Sequence, residues 1–184
     1  MVQQQESRRV RMTKRLMKEA LLELMEEKDL MSITVTAICE TADVHRSTFY
    51  NYYMDPADLF REIEQDFLDR IPTPSQILKQ NNQKAILEAT TVFFDFMQEN
   101  KKTLQILFNN SSSNNFSARL IEHLCNGYIP VEENPNKLEE HFRRIYIANG
   151  TVGMMREWVN QNFPVSSRKI AEMMYFLSTK ISQN

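Results

Sequence analysis

Apolar residues recur at helical spacing along nearly the whole chain, and this recurrence predicts nine helices joined by short polar segments. The predicted helices span residues 9–28, 35–42, 45–53, 55–70, 82–99, 101–108, 116–128, 135–162 and 166–182. A composition of three Gly and six Pro against eleven Met also favours helices over sheet. The pattern therefore predicts an all-α fold.

The segment Ile-Pro-Thr-Pro at residues 71–74 interrupts this pattern and is the clearest break in the chain. We therefore expect a small N-terminal domain at residues 1–54 and a connecting helix at residues 55–71. A larger helical domain would occupy residues 72–184. The connecting helix should begin at Asp55-Pro56, because Asp caps helices and Pro is tolerated at the first helical position.

The second and third predicted helices are short and are separated by two residues, Asp43 and Val44. The second helix, at residues 35–42, has one apolar face, which suits burial, and either Ser32 or Thr34 can cap it. The third helix lacks the alternating acids and bases of an ordinary solvated face. It carries short polar and aromatic side chains instead, namely His45, Arg46, Ser47, Thr48, Tyr50, Asn51 and Tyr52. A compact helix-turn-helix with such a helix suits the DNA major groove.

This stretch resembles the DNA-binding segment of the TetR family of bacterial repressors. The resemblance covers residues 8–70 and is carried by Thr34, Val35, Ile38, Ala42, Val44, Thr48, Phe49, Tyr50, Tyr53 and Leu59. It implies a TetR-like fold, in which residues 1–54 form a three-helix DNA-binding domain. Residues 72–184 would then form a helical domain for ligand binding and dimerisation.

Three residues depart from the pattern of the family. Asp43 stands where Gly is usual, and His45 stands where Ser is common. Pro56 stands where a Lys that contacts phosphate often opens the fourth helix. The first two changes bear on the operator sequence, and the third removes one expected phosphate contact.

The resemblance and the major-groove chemistry together give each DNA-binding residue an expected role. The residues expected to contact bases are His45, Arg46, Ser47, Thr48 and Asn51. The residues expected to contact phosphate are Thr34, Tyr50, Tyr52 and the basic residues Arg8, Arg9 and Arg11.

Charge is distributed unevenly, although the net charge of the chain is only −2. Residues 1–18 hold six Lys or Arg and one acid, a net charge of +5, whereas residues 55–70 carry −4. A basic segment leading into the first helix is the expected footprint of phosphate contact. The alternative is a solvated charge run at a frayed terminus.

Other features exclude several functional classes. The chain has no apolar run of about 18 residues and no apolar signal-peptide core, so we expect a cytoplasmic protein without membrane contact. Cys39 and Cys125 are isolated and are expected to be buried thiols. The three His are scattered, and no catalytic or phosphate-loop motif is present. We therefore expect no enzyme activity, no metal and no cofactor.

The last two predicted helices have an apolar perimeter wider than one stripe, which predicts burial on more than one side. Gly150 and Gly153 are costly inside a helix, and the close approach of another helix would explain them. The residues expected at a dimer interface are Val152, Met154, Trp158, Val159, Met173, Phe176 and Leu177. The alternative is a monomeric core that contains the same residues.

The middle helices are rich in Phe and Met, with a few polar side chains among them. Apolar walls with few polar groups are typical of small-molecule sites. The residues expected to line such a site are Phe93, Phe96, Met97, Phe108, His123, Tyr146 and Asn149. A plain helical core would have the same composition.

The sequence thus predicts a homodimeric transcriptional repressor that binds a near-palindromic DNA operator and responds to a small apolar or amphipathic effector. Two alternatives remain open. One is a constitutive DNA-binding regulator without inducer, and the other is a helical adaptor that binds a protein.

Overall fold

A computed structural model describes residues 7–72, 82–109, 114–127, 129 and 136–181, and these residues form helices without any strand. The helices are α1 (Arg8–Leu24), α2 (Val35–Thr41), α3 (Arg46–Tyr50), α4 (Pro56–Arg70), α5 (Gln83–Glu99), α6 (Lys101–Asn109), α7 (Asn114–Gly127), α8 (Lys137–Asn160) and α9 (Ser167–Ile181). The predicted all-α class is confirmed. No helix in this described part is long and apolar enough to cross a bilayer.

The chain divides into two compact units, Met1–Asp69 and Arg70–Asn184. In the first unit, α1 begins after Ser7, whose hydroxyl accepts a hydrogen bond from the Val10 amide. Its buried face is formed by Met17, Ala20 and Leu21, at helical spacing.

The prediction that the first helix reaches residue 28 is wrong, because α1 ends at Leu24. The residues that follow, 26–28, are charged and exposed, so no apolar face continues the helix. A 3-10 turn at Leu30–Ser32 comes next, capped by the Asp29 carboxylate, which accepts from the Met31 amide. Burial of Leu30 anchors this turn in the core.

Of the two caps predicted for α2, Ser32 and Thr34, the structure uses Thr34, and the Asp55 cap predicted for α4 is confirmed. The Thr34 hydroxyl accepts from the Ala37 amide at 3.2 Å. The Asp55 carboxylate accepts from the Asp58 amide at 2.7 Å, with Pro56 as the first residue of α4. Side chains from the helices then meet in one small core, whose buried residues include Ile38, Cys39, Phe49, Tyr53, Leu59, Phe60, Ile63 and Phe67.

In the second unit, α5 packs against α9, and α7 packs against α8. Trp158, the single Trp of the chain, is buried near the end of α8. Its ring meets Phe94 edge-on at 5.5 Å between ring centres, and its Nε1 donates to the Val165 carbonyl at 2.9 Å. Because Val165 follows α8 and Phe94 lies on α5, Trp158 ties three segments of this unit together.

Several predicted boundaries differ from the structure by one to three residues. α8 begins at Lys137 rather than residue 135, because the Asn136 side chain accepts from the amide of Leu138 at 3.1 Å. α7 spans Asn114–Gly127 rather than residues 116–128. Residues 110–113, between α6 and α7, and Tyr128, the last residue of the predicted seventh helix, lie outside the described residues. Cys39 is buried as expected, whereas Cys125 is only half-buried, and both are free thiols.

Candidate nucleic-acid interface

The turn between α2 and α3 is closed by the backbone alone. Asp43 adopts a left-handed conformation with φ of 51°. The Val44 amide then donates to the Cys39 carbonyl at 3.0 Å, which ends α2. This geometry explains why Gly suits position 43, since a left-handed residue without a Cβ is unstrained. Asp is among the few other residues that tolerate it.

The third helix is shorter than predicted and ends at Tyr50 rather than at residue 53. His45 is its N-cap residue, but the His45 side chain makes no capping hydrogen bond and is exposed. Asn51 still has helical dihedral angles, and Tyr52 lies in the turn that follows. The prediction that Asn51 and Tyr52 lie within the helix is therefore corrected.

One face of α3 is exposed and the other is anchored. Phe49 is fully buried, and its ring lies 5.6 Å from that of the buried Tyr53. Arg46, Ser47, Tyr50 and Asn51 are exposed, and their spacing of i, i+1, i+4 and i+5 gathers them on one side of the helix. Thr48, also predicted to contact bases, is half-buried between the two sides.

The residues predicted to contact phosphate have different surroundings. Tyr50 is 53% exposed, so its hydroxyl is open to solvent. Thr34 is exposed, and its oxygen already accepts the capping bond of α2, which leaves its hydroxyl proton for another acceptor. Tyr52 is half-buried, with the Lys14 ammonium 5.7 Å from its ring centre.

The Lys and Arg residues of the basic N-terminal segment lie on α1, and they divide into two groups. Arg8, Arg9 and Arg11 are exposed in the first turns. Lys14 and Lys18 instead face α4, where Lys18 Nζ lies 2.7 Å from Glu62 Oε1 and 2.6 Å from Asp66 Oδ2. The net charge of +5 thus overstates the charge that is free to meet phosphate.

This pairing also shifts the titration of the groups involved. Partial burial alone would raise the pKa of Glu62, but the Lys18 hydrogen bond and the charges of Lys18 and Lys14 lower it below its ordinary 4.5. Burial would likewise lower the pKa of Lys18, yet its hydrogen bonds to Asp66 and Glu62 raise it. Both groups are therefore ionised at neutral pH, and the α1–α4 pair is fully charged.

A second acid of α4 closes the turn between α3 and α4. The Asp58 carboxylate accepts from the Met54 amide at 3.0 Å and pairs with Arg61 at 3.0 Å. The Met54 hydrogen bond, followed by the Arg61 contacts, lowers the pKa of Asp58. An acid in the first turn is also favoured by the dipole of α4.

The residues predicted to line a ligand site are dispersed in the second unit. Phe93, Met97 and Phe108 are buried, whereas Phe96 and His123 are half-buried. Tyr146 is 63% exposed, and Asn149 is exposed with its amide bonded to the Ile145 carbonyl of its own helix. The last two therefore lie on the outer surface of α8 rather than in an interior lining.

The residues predicted at a dimer interface fall into two sets. Val152, Trp158 and Val159 are at most 5% exposed and belong to the core of the same chain, while Met154 is half-buried. Met173, Phe176 and Leu177 are exposed on α9. The set omitted large apolar residues that are exposed on α8, namely Leu138, Phe142 and Ile145. The sequence signal for these residues is their helical spacing, since Ile145 lies seven residues after Leu138 and Phe142 lies four residues after it.

Comparison with known proteins identifies relatives of both units. Residues 84–180 match the family TetR_C_8, described as the C-terminal region of transcriptional regulators. The uncharacterised HTH-type transcriptional regulator YxbF of Bacillus subtilis is 22% identical over 167 residues, which include 87% of this chain. The chain spans only 43% of the length of that curated relative.

Solved structures show the same fold. A TetR transcriptional regulator from Streptococcus agalactiae matches with a TM-score of 0.70 and 20% identity, covering 93% of this chain and 96% of that chain. The dihydroxyacetone kinase operon activator DhaS matches with a TM-score of 0.63 and 21% identity, covering 91% of this chain and 94% of its own. At these identities the likeness concerns the fold alone.

The left-handed turn residue gives a direct test of the helix-turn-helix geometry. Asp43→Ala should lower the free energy of unfolding by about 1 kcal/mol, because a Cβ without a polar side chain is strained at this φ. Asp43→Gly should be at least as stable as the unsubstituted protein. Thermal unfolding followed by circular dichroism measures both, with the exposed Glu40→Ala on α2 as control. Equal stability of the Ala and Gly variants would contradict the left-handed conformation.

Proposed function

Because the chain belongs to the TetR family of transcriptional regulators, we propose that it binds a near-palindromic DNA operator as a homodimer and represses transcription. The DNA-binding part would be residues 1–54, with residues 55–71 as the connecting helix. Residues 72–184 would provide dimerisation and effector binding. Activation is the alternative direction of regulation, since the similar DhaS is named as an operon activator.

One observation carries the DNA-binding proposal, namely the exposed polar side of α3. A helix whose outward side chains are Arg46, Ser47, Tyr50 and Asn51 offers charged and neutral hydrogen-bonding groups without any acid. Arg pairs with guanine and Asn with adenine in the major groove through two hydrogen bonds each. An acid-free face also avoids repulsion by the phosphates.

The remaining residues take supporting roles in this proposal. His45 and Ser47 would contact bases near the start of α3, and Thr48 would do so at its edge. Thr34 and Tyr50 would donate to phosphate through their hydroxyl groups. The exposed Arg8, Arg9 and Arg11 would contact the backbone beside the groove.

Two substitutions separate the phosphate contact from the base contact. Tyr50→Phe should weaken binding to all duplexes equally, because it removes a hydrogen bond to phosphate. Asn51→Ala should instead relax the preference at one base position, by about 1–3 kcal/mol. Fluorescence anisotropy measures the affinity of each variant for duplexes of the DNA upstream of its own gene and for single-base variants of them. The titrations are repeated over a salt series. A uniform loss in both variants would contradict the role of Asn51 in base recognition.

The same salt series distinguishes DNA recognition from the adaptor alternative. Binding through phosphate contacts must weaken steeply as salt rises, with a slope of about −0.9 per neutralised phosphate. A protein that binds no duplex at low salt, yet retains its fold, would favour the adaptor.

Dimerisation would use the outward surfaces of α8 and α9. Leu138, Phe142 and Tyr146 are each more than 60% exposed on α8, and Phe176 is 54% exposed on α9. Leu138, Phe142 and Tyr146 recur every four residues and so lie on one face of α8. Exposed patches of large apolar groups are typical of protein interfaces. A single α3 reads too few base pairs to be specific, so a second copy is also what operator recognition needs.

Two glycines support the same surface. Gly150 and Gly153 are exposed on α8, and a Cβ added to either would meet no atom within 4 Å among the residues that the structure describes. Each glycine therefore weakens the helix, and no described residue of the same chain requires its small size. A partner helix crossing closely at these two positions would explain them.

Replacing Gly150 and Gly153 by Ala distinguishes an α8 that packs against a second copy of the chain from an α8 that does not. If a second copy crosses here, the dimer dissociation constant should rise at least tenfold, since the added methyl groups hold the helices apart. If nothing packs here, the double variant should only gain stability, by about 1 kcal/mol per site. Sedimentation velocity over a dilution series measures the dissociation constant, with Val92→Ala, exposed on α5, as control.

An effector would bind within the helices of the second unit, next to the end of α4. The Arg70 guanidinium, the last residue of α4, lies 5.8 Å from the ring centre of Phe96 and donates to the Asn100 side chain at 3.2 Å. A ligand that displaced the half-buried Phe96 would thus act on the end of α4. The buried Phe93, Met97 and Phe108 would supply the apolar lining. Tyr146 and Asn149 are removed from this proposal because they face outward.

Linkage gives the test of this effector role. DNA and effector must weaken each other by one common factor, commonly 5–150-fold. Decanoate, as an amphipathic probe, should weaken operator binding in the unsubstituted protein, and Phe96→Ala should blunt that response with little change in DNA affinity. Anisotropy titration with and without decanoate measures this, with Val92→Ala as control. DNA affinity that is unchanged by this and other amphipathic probes would favour the constitutive regulator.

A further inference from the structure

Lys14, like Lys18, is a cation of the basic N-terminal segment that is turned away from solvent. The Lys14 side chain is 20% exposed, and its Nζ lies 3.6 Å from Glu62 Oε1 on α4. The same ammonium lies 5.7 Å from the ring centre of Tyr52 and 5.9 Å from that of Tyr53. Lys14 therefore contacts three residues from the end of the helix-turn-helix and from α4.

Tyr52 depends on such contacts for its orientation. It lies in the turn after α3, where its amide donates to the Phe49 carbonyl at 3.0 Å. That bond fixes the backbone but does not set the orientation of the side chain. The ring is flanked by the Lys14 ammonium and, at 6.4 Å between ring centres, by Tyr53. Tyr53 is 3% exposed, so it provides a fixed wall on one side of Tyr52.

We propose that Lys14 is a positioning residue, which holds the Tyr52 ring in place for its contact with the DNA backbone and does not itself bind phosphate. This inference rests on the proposed DNA-binding function. Glu62 would in turn hold the ammonium of Lys14 over the two rings, so that α4 helps to orient the end of the helix-turn-helix.

The local charges favour this role over direct phosphate contact. Glu62 and Asp66 lie opposite Lys14 and Lys18, so two carboxylates already balance two ammonium groups. A phosphate that captured Lys14 would have to remove it from Glu62 and from the faces of both tyrosines. Arg8, Arg9 and Arg11 are exposed and need no such displacement. Attraction of a cation to aromatic faces is strengthened by the partial exclusion of water.

The salt dependence of DNA binding separates the two roles. Lys14→Met keeps the apolar stem and removes the charge, and it should weaken operator binding by roughly three- to thirtyfold. The slope of log affinity against log salt should stay unchanged, because no phosphate contact is lost. Arg11→Met, in contrast, should reduce the slope by about 0.9. Arg15→Met is the matched control, since Arg15 is exposed on the same helix and pairs with Glu19.

A double-mutant cycle tests whether Lys14 acts through Tyr52. Tyr52→Phe removes the hydroxyl proposed to contact phosphate and keeps the ring. On this background Lys14→Met should cost less than half of its effect in the unsubstituted protein, because there is no hydroxyl left to position. Lys14→Arg should restore most of the affinity, since a guanidinium can also lie over the rings and pair with Glu62. Thermal unfolding of each variant excludes loss of fold as the cause of weaker binding.

Three outcomes would overturn the inference. A slope reduced by about 0.9 in Lys14→Met would show a direct phosphate contact. Unchanged affinity in a folded Lys14→Met variant would show that the residue has no part in binding. Full additivity with Tyr52→Phe would show that Lys14 acts elsewhere. If the unsubstituted protein binds no DNA, the proposed function fails and the inference fails with it, which is a different result from these three.

Discussion

Burial of the Phe49 ring is the interaction on which the DNA-binding proposal depends. A helix of five residues has almost no stability in isolation, because nucleation costs more than so few hydrogen bonds return. Phe49 is fully buried, and Tyr53, four residues later, is buried beside it. These two rings fix which side of α3 faces the core. The polar side chains of Arg46, Ser47 and Asn51 are exposed as a consequence.

The charges of the first unit are organised around the same helix. Acids of α4 draw Lys14 and Lys18 inward, while the arginines at the start of α1 remain exposed. The pairs are partly exposed, so their direct contribution to stability is small. Their larger effect is geometric, since they connect α1, α4 and the turn that contains Tyr52. A charge count along the sequence cannot separate cations that hold the fold from cations available to a polyanion.

The second unit presents its apolar residues in two ways. One set, around Trp158 and Phe94, fills the interior and joins α5 to α8. Another set, including Phe142 and Phe176, is exposed on α8 and α9. Both sets consist of large apolar residues, so amino-acid composition cannot distinguish the buried set from the exposed set. Only the exposed set is available to a second copy of the chain, and only the buried set is available to line an effector site.

Local information in the sequence determined the all-α class, the Asp55 cap and the position of the helix-turn-helix, and it limited the α2 cap to Ser32 or Thr34. Helical spacing and capping are readable in this way because they involve residues within a few positions of one another. Tertiary structure decided the early ends of α1 and α3, the inward orientation of Lys14 and the outward orientation of Tyr146. These helix ends and side-chain orientations depend on whether residues distant in the sequence pack against them. Lys14 turns inward because Glu62 lies 48 residues away along the chain but 3.6 Å away in space. Helical periodicity gives the faces of a helix, whereas packing decides which face is covered.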